Sequence, residues 1–234
     1  MINLIKLEMR KTKIRTYINS SIIITVCMLG LLYTFAAISF AGIEADAAEF
    51  SSYYNIMVLT NAITMCAYSV LAAVMYSSFI IKEFADKNAI LMFSYPVSRK
   101  SILLAKITLV AIFTLVSTII STCIICLILG TTESIFPLVP DSISIYLVVK
   151  IIRDTICVGI IAVAIGIVSA YIGLIKKSSP VTIVSAVIIC SCAANVIVAG
   201  MHLFFLIIGF TIGAAIAAVV ALSGLMRKVD GMEV

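Results

Sequence analysis

A chain of 234 residues that is 63% apolar and only 12% charged cannot clothe a water-facing surface, because soluble domains carry about 45–50% apolar and about 25% charged residues. This excludes a soluble enzyme, a disordered protein and a secreted disulfide scaffold. The net charge of +5 arises from lysines and arginines gathered on one side of the expected membrane topology and implies no nucleic acid.

Stretches free of Asp, Glu, Lys and Arg cover 16–43, 50–81, 107–132, 155–175 and 178–226. A bilayer-spanning helix needs about 20 apolar residues. Each of the first four stretches therefore predicts one span. The fifth predicts two, joined at Gly200, Met201 and His202. Apolarity without a period of two favours helices over a barrel. The expected fold is all-α, with six transmembrane helices and a single transmembrane domain over 1–234.

Along the chain, the basic segment 1–15 carries Lys6, Arg10, Lys11, Lys13 and Arg15 ahead of the first span. It resembles the start of a signal peptide, but 28 uncharged residues exceed an ordinary secretory core, so retention is expected. A cytoplasmic segment, 82–101, follows the second span, and its basic run extends to Lys106. Lys176 and Lys177 follow the fourth span, and Arg227 and Lys228 the sixth. Fourteen of the sixteen basic residues then share one side, so both termini are expected in the cytoplasm. The other side keeps Lys150 and Arg153 beside Glu44, Asp46, Glu49, Glu133, Asp141 and Asp154.

Within the third span, Thr114, Ser117, Thr118, Ser121 and Thr122 form a hydroxyl stripe. It is read either as hydroxyls bonded to their own helix carbonyls or as a candidate translocation path. Before the fourth span, Lys150 and Asp154 share a helix face beside Arg153. They form either the outer end of a long helix with snorkelling basic groups or a candidate outer gate. Gly209, Gly213, Ala217 and Ala221 recur every four residues in the last span, and Ala162, Gly166 and Ala170 in the fourth. Small residues at this spacing let helices approach closely, within the bundle or across a subunit interface. Asn61 and Asn195 are expected to bond across helices. Tyr53, Tyr54 and Tyr146 near one boundary, and Tyr17 and Tyr171 near the other, are expected as interface anchors.

No charge-free run holds a carboxylate, so proton or sodium coupling is not expected. One histidine, His202, makes no metal site, and HExxH, GxSxG and GxxxxGK[ST] are all absent. The seven cysteines lie in the spans, including Cys123 and Cys126 at CxxC spacing, and read as small packing residues. Such a chain has no catalytic residues, holds no cofactor and has no fuel of its own. Any uphill movement needs energy from another polypeptide.

Pro96 disfavours helical geometry at Tyr95, so a cytoplasmic helix from about 83 is expected to end there. Phe84, Asn88, Leu91 and Tyr95 share one face, while Ala89, Ile90 and Phe93 lie broadly opposite. Two apolar faces suit a helix held between the spans and a partner, or one lying among lipid headgroups.

The run from Glu83 through Ser94-Tyr95-Pro96-Val97-Ser98-Arg99 to Lys106 resembles the coupling segment of type-2 ABC transporter permeases. Asn88-Ala89 stands where that family often has Gly-Thr. The basic segment 1–15 resembles the family's interfacial elbow, with Ile2, Ile5 and Met9 on one face but Leu4 and Leu7 off it. The resemblance implies the membrane subunit of an ATP-driven exporter in a bacterial plasma membrane. It implies a P-loop ATPase subunit holding ATP and magnesium, and a second permease copy or paralogue. Glu83, Phe84, Asn88, Leu91, Tyr95, Pro96 and Arg99 would then contact or position that ATPase. Small hydrophobic or amphipathic cargo, such as a peptide, drug or lipid-like molecule, is expected by analogy. The alternative is a non-transporting immunity or sensor protein that binds a peptide or partner.

Overall fold

A computed structural model describes residues 14–41, 52–81, 99–133, 135, 145–200 and 204–230. Six helices run through them: α1 (Ile14–Ala41), α2 (Tyr53–Tyr76), α3 (Arg99–Glu133), α4 (Ile145–Lys176), α5 (Ser179–Ala199) and α6 (Phe204–Asp230). A π-helical turn, Ser77–Ile81, continues α2. All six helices are long and apolar enough to cross a membrane, and no strand occurs among the described residues. The helices alternate in direction. One end of the bundle, here the crown, carries Glu133 and Asp154; the other, the base, carries Ile81 and Lys176. Tyr17 near the start of α1 and Gly224 near the end of α6 both pack at the base.

The charge-free runs locate all six helices but misplace two boundaries. α3 begins at Arg99 rather than 107, and α4 at Ile145 rather than 155. Lys106 therefore lies inside a helix that was expected to start after it, whereas Lys150, Arg153 and Asp154 form the outer end of a long fourth helix, one of the two readings of that stretch. A charged side chain does not end a helix whose backbone bonds are intact; it only needs a partner or a route to water.

In lipid the hydrophobic effect does not drive helices together, so close packing and interhelical hydrogen bonds must. α2 and α4 form the centre. Buried residues make up 67% of the most apolar window of α2 and 61% of that of α4, against 17% in α1. At the crown, Met28 and Leu32 of α1 meet Ile56, Ile125 and Ile151. Midway, Val58, Ala62 and Met65 of α2 pack on Ile161, Ala162 and Ile165 of α4 and on Ala186 and Cys190 of α5. At the base, Met75, Tyr76 and Ile80 meet Leu103, Ile107, Leu174 and Leu225.

Glycines of α4 permit this closeness. A Cβ on Gly166 would stand 3.0 Å from Ala72 Cβ and 3.1 Å from Tyr76 Cε2 of α2. One on Gly173 would collide with Thr182 Oγ1 of α5 and lie 2.6 Å from Ile81 Cδ1. Ala162, Gly166 and Ala170 are thus packing residues inside the bundle. The stripe of α6 behaves differently. Nothing lies within 4 Å of a Cβ placed on Gly209 or Gly213, and both are exposed with Ala217. Ala221 alone of the four is buried.

α4 passes into α5 through a tight turn. Lys177 N–H donates to Leu174 O at 3.3 Å, and Ser178 N–H to Gly173 O at 3.2 Å. This is the Schellman pattern, with Lys177 in the left-handed position at φ 50°. Pro180 in the first turn of α5 sits where its missing N–H costs nothing. The seven cysteines are all free, with Cys123 exposed and Cys190 buried.

Candidate functional site

Polar groups in a membrane-spanning bundle are costly, so their placement marks where function is concentrated. They form three groups: a charged crown, a hydroxyl ladder beneath it, and one lysine at the base.

At the crown, Asp154 of α4 is only 4% exposed. Its Oδ1 accepts from Arg153 Nε at 3.0 Å and Nη2 at 2.8 Å, and its Oδ2 accepts from the Tyr54 hydroxyl of α2 at 3.1 Å. Lys150 Nζ sits 3.3 Å above the centre of the Tyr54 ring, a cation–π contact. Tyr53 donates to the carboxylate of Glu133 at the end of α3. The crown therefore ties α2 to both α3 and α4. Asp154 is ten residues into a membrane-length helix, beside the guanidinium of Arg153, as the outer end of a long fourth helix would place it. The three charges expected at an outer gate do come together, but around Tyr54, which the sequence suggested only as an anchor. Tyr53, also expected as an anchor, is only 1% exposed, packed in the apolar cluster of the crown and bonded to Glu133, whereas Tyr146 is largely exposed.

Beneath the crown, Asn61 Nδ2 donates to Thr155 Oγ1 at 3.4 Å, and Thr122 Oγ1 donates to Asn61 Oδ1 at 3.3 Å. Farther down, Thr25 Oγ1 donates to Ser121 Oγ at 3.1 Å, and the Ser21 and Tyr68 hydroxyls lie 3.0 Å apart. This ladder joins α1, α2, α3 and α4. Thr114 and Thr118 are buried and donate to Val110 O and Thr114 O, each at 2.9 Å, bonding within their own helix. Ser117 turns away from them. It lines a groove of about 410 Å³ between α1 and α3, walled by Ile18, Ile22, Phe113, Val116 and Ile120 with Ser21. Of the five hydroxyls of this stripe, Ser121 and Thr122 join the ladder, Thr114 and Thr118 bond within α3, and Ser117 lines the apolar groove. Asn61 bonds across helices as expected. Asn195 does not: it is exposed and donates to Ser191 O of its own helix at 2.8 Å.

At the base, Lys106 of α3 was expected among cytoplasmic charges but is 1% exposed. Its Nζ donates to Phe79 O in the π-helical turn at 2.9 Å. In return, the Tyr76 hydroxyl of α2 donates to Ile107 O of α3 at 3.3 Å. Of the expected coupling residues, Arg99 opens α3, while Glu83, Phe84, Asn88, Leu91, Tyr95 and Pro96 lie outside the described residues. So do most of the basic segment 1–15 and His202.

The described residues contain no group of three or more His, Cys, Asp or Glu side chains placed to hold a metal ion. Within the crown, Arg153 offsets the charge of Asp154, Lys150 rests on the Tyr54 ring and Glu133 accepts from Tyr53.

The sequence profile described as ABC-2 family transporter protein matches residues 4–193. The chain belongs to this family. It is a multi-pass membrane protein and a transport component, and membership implies an ABC ATPase partner in general. This ABC-2 family member is similar to the uncharacterized protein YcbO of Bacillus subtilis strain 168, with 26% identity over 187 residues, 80% of this chain and 81% of the relative. No solved structure matches it. The matched stretch takes in the crown, the ladder and Lys106 but ends within α5, leaving the small-residue face of α6 beyond it.

Proposed function

We propose that this ABC-2 family member is the membrane-spanning permease subunit of an exporter for small hydrophobic or amphipathic cargo. ATP and magnesium are held by a separate P-loop subunit, and the chain itself is no enzyme. The observation that carries the reading is the family match across residues 4–193, spanning the segment 82–98 between α2 and α3. The arrangement of α1 and α6 supports it, since both place an end at the base. With basic residues concentrated there, the base faces the cytoplasm and presents the segment 82–98 to the ATPase.

The cargo class is supported by the groove between α1 and α3, whose wall is almost wholly aliphatic and aromatic. A second permease, identical or paralogous, completes the transporter. The exposed face of α6, where Gly209, Gly213 and Ala217 leave the backbone open, suits close approach of that second subunit.

The test is capture of a P-loop ATPase by the tagged chain from its native membranes, followed by ATP turnover in liposomes. Leu91→Asp, which places a charge on the expected coupling helix, is expected to release the ATPase or abolish its stimulation while the six spans still insert. Capture and stimulation both unchanged in that variant exclude this helix as the coupling element.

A further inference from the structure

A lysine near the end of a membrane helix ordinarily reaches outward to water along its flexible stem. Lys106 does the reverse. At 1% exposure it is among the largest fully buried side chains, and its ammonium meets the carbonyl of Phe79 at 2.9 Å. A buried ammonium needs such partners, and its bonds to carbonyls are stronger than those between neutral groups.

The acceptor lies in an unusual place. Phe79 is the middle residue of the π-helical turn Ser77–Ile81, the last described turn of the second span. π turns widen the backbone ladder and recur at functional sites. Every neighbouring element grips this one. The Phe79 ring meets Tyr17 of α1 edge to face, with centroids 5.3 Å apart. Ile81 packs where Gly173 of α4 and Thr182 of α5 close together. Tyr76, immediately before the turn, bonds to the α3 backbone beside Lys106. The turn is therefore the point where α1, α3, α4 and α5 all touch the end of α2.

We propose that Lys106 is a positioning residue that locks the π-helical turn Ser77–Ile81 to α3, making it the rigid joint through which displacement at the base reaches the bundle. This rests on the permease reading, in which the segment starting at residue 82 receives the ATPase. With the lock in place, a push on that segment moves α2 and α3 as one body. Without it, the wide turn absorbs the push and α2 stays where it is. Tyr76 and Lys106 make the lock reciprocal, each helix donating a side chain to the other's backbone.

Two measurements test the lock on the full chain in liposomes. Hydrogen exchange at residues 77–81 is expected to rise about tenfold in Lys106→Met, with the middle of α2 unchanged; equal exchange overturns the lock. ATP turnover of the copurified ATPase is expected to lose about tenfold of its stimulation in Lys106→Met, with the amount captured unchanged and Lys106→Arg restoring it. Full stimulation in Lys106→Met, or failure of Lys106→Arg to restore it, overturns the transmission role. If Lys106→Met does not insert, Lys106→Gln, whose donor is too short to reach Phe79, takes its place in both measurements. A wild-type chain that captures no ATPase overturns the permease reading, and the exchange measurement then decides the lock by itself.

Discussion

The Tyr54 hydroxyl donates to Asp154 across the α2–α4 interface at 3.1 Å, on the carboxylate oxygen opposite the one that Arg153 occupies. Both oxygens of a buried carboxylate are thereby satisfied, one by charge and one by a neutral donor. Removing the carboxylate leaves Tyr54 without the acceptor it has across the interface and takes the adjacent carboxylate from Arg153. Arg153 is 39% exposed on its side chain and can turn to water, so the loss falls short of that for a fully buried pair. Asp154→Ala is expected to destabilise the detergent-solubilised protein by about 1–3 kcal/mol. Tyr54→Phe should cost less, and the two together less than their sum. Thermal unfolding of the four proteins checks this; strict additivity shows that the two side chains act independently.

The groove between α1 and α3 makes a separate prediction. If it opens sideways to lipid, a bimane fluorophore on Ser117→Cys, in a background lacking other cysteines, is quenched by lipids carrying a nitroxide on the acyl chain. The same dye on Cys190, which is 3% exposed in the packed centre, escapes quenching. Equal quenching at both sites shows that the groove is not a lipid-facing feature.

The number of helices was legible in the sequence because lipid leaves the backbone no alternative: each long charge-free run has to close its own hydrogen bonds. The start of α3 was not, because Lys106 was read as an edge, while the long fourth helix reaching past Asp154 was one of two readings. Lys106 and Asp154 are inside helices, held by Phe79 O and by Arg153 with Tyr54. Those partners are distant along the chain, Tyr54 and Asp154 being 100 residues apart, and no pattern in a single sequence announces such a pair. The ladder was half legible. The hydroxyl spacing of α3 was evident, but its partners Thr25, Tyr68 and Thr155 look ordinary in their own helices. One signal was available and missed: Gly159, Gly166 and Gly173 recur every seven residues in α4, and each closes against a neighbouring helix.

Those glycines separate two kinds of small-residue stripe. An added methyl at Gly173 meets Thr182 and Ile81 below ordinary contact distance, and one at Gly166 meets Ala72 and Tyr76 at its limit. Forced overpacking of this kind costs about 1–3 kcal/mol. Gly173→Ala is expected near the top of that range and Gly166→Ala near the bottom. Gly209→Ala and Gly213→Ala meet nothing within the chain and should leave the stability of the isolated subunit unchanged or slightly raised, since alanine favours helix. Unfolding midpoints of the four variants decide the ranking. A loss of assembly in Gly209→Ala or Gly213→Ala, with subunit stability intact, marks the α6 face as a contact between subunits.

Lys177 offers a prediction in the opposite direction. It ends α4 at φ 50°, the position in a Schellman turn that glycine usually fills. A side chain held left-handed costs about 1–2 kcal/mol, while glycine there gives back part of the gain through a freer unfolded chain. Lys177→Gly is therefore expected to raise stability by about 0.5–1 kcal/mol. Lys176 stays in the last turn of α4, so the basic character of this connection is reduced but not abolished. Thermal unfolding reads the gain, and labelling of an engineered cysteine beside Lys176 from each side of the membrane reads the orientation. A fall in the unfolding midpoint with orientation intact shows that the Lys177 side chain makes a contact at the base worth more than the strain it carries.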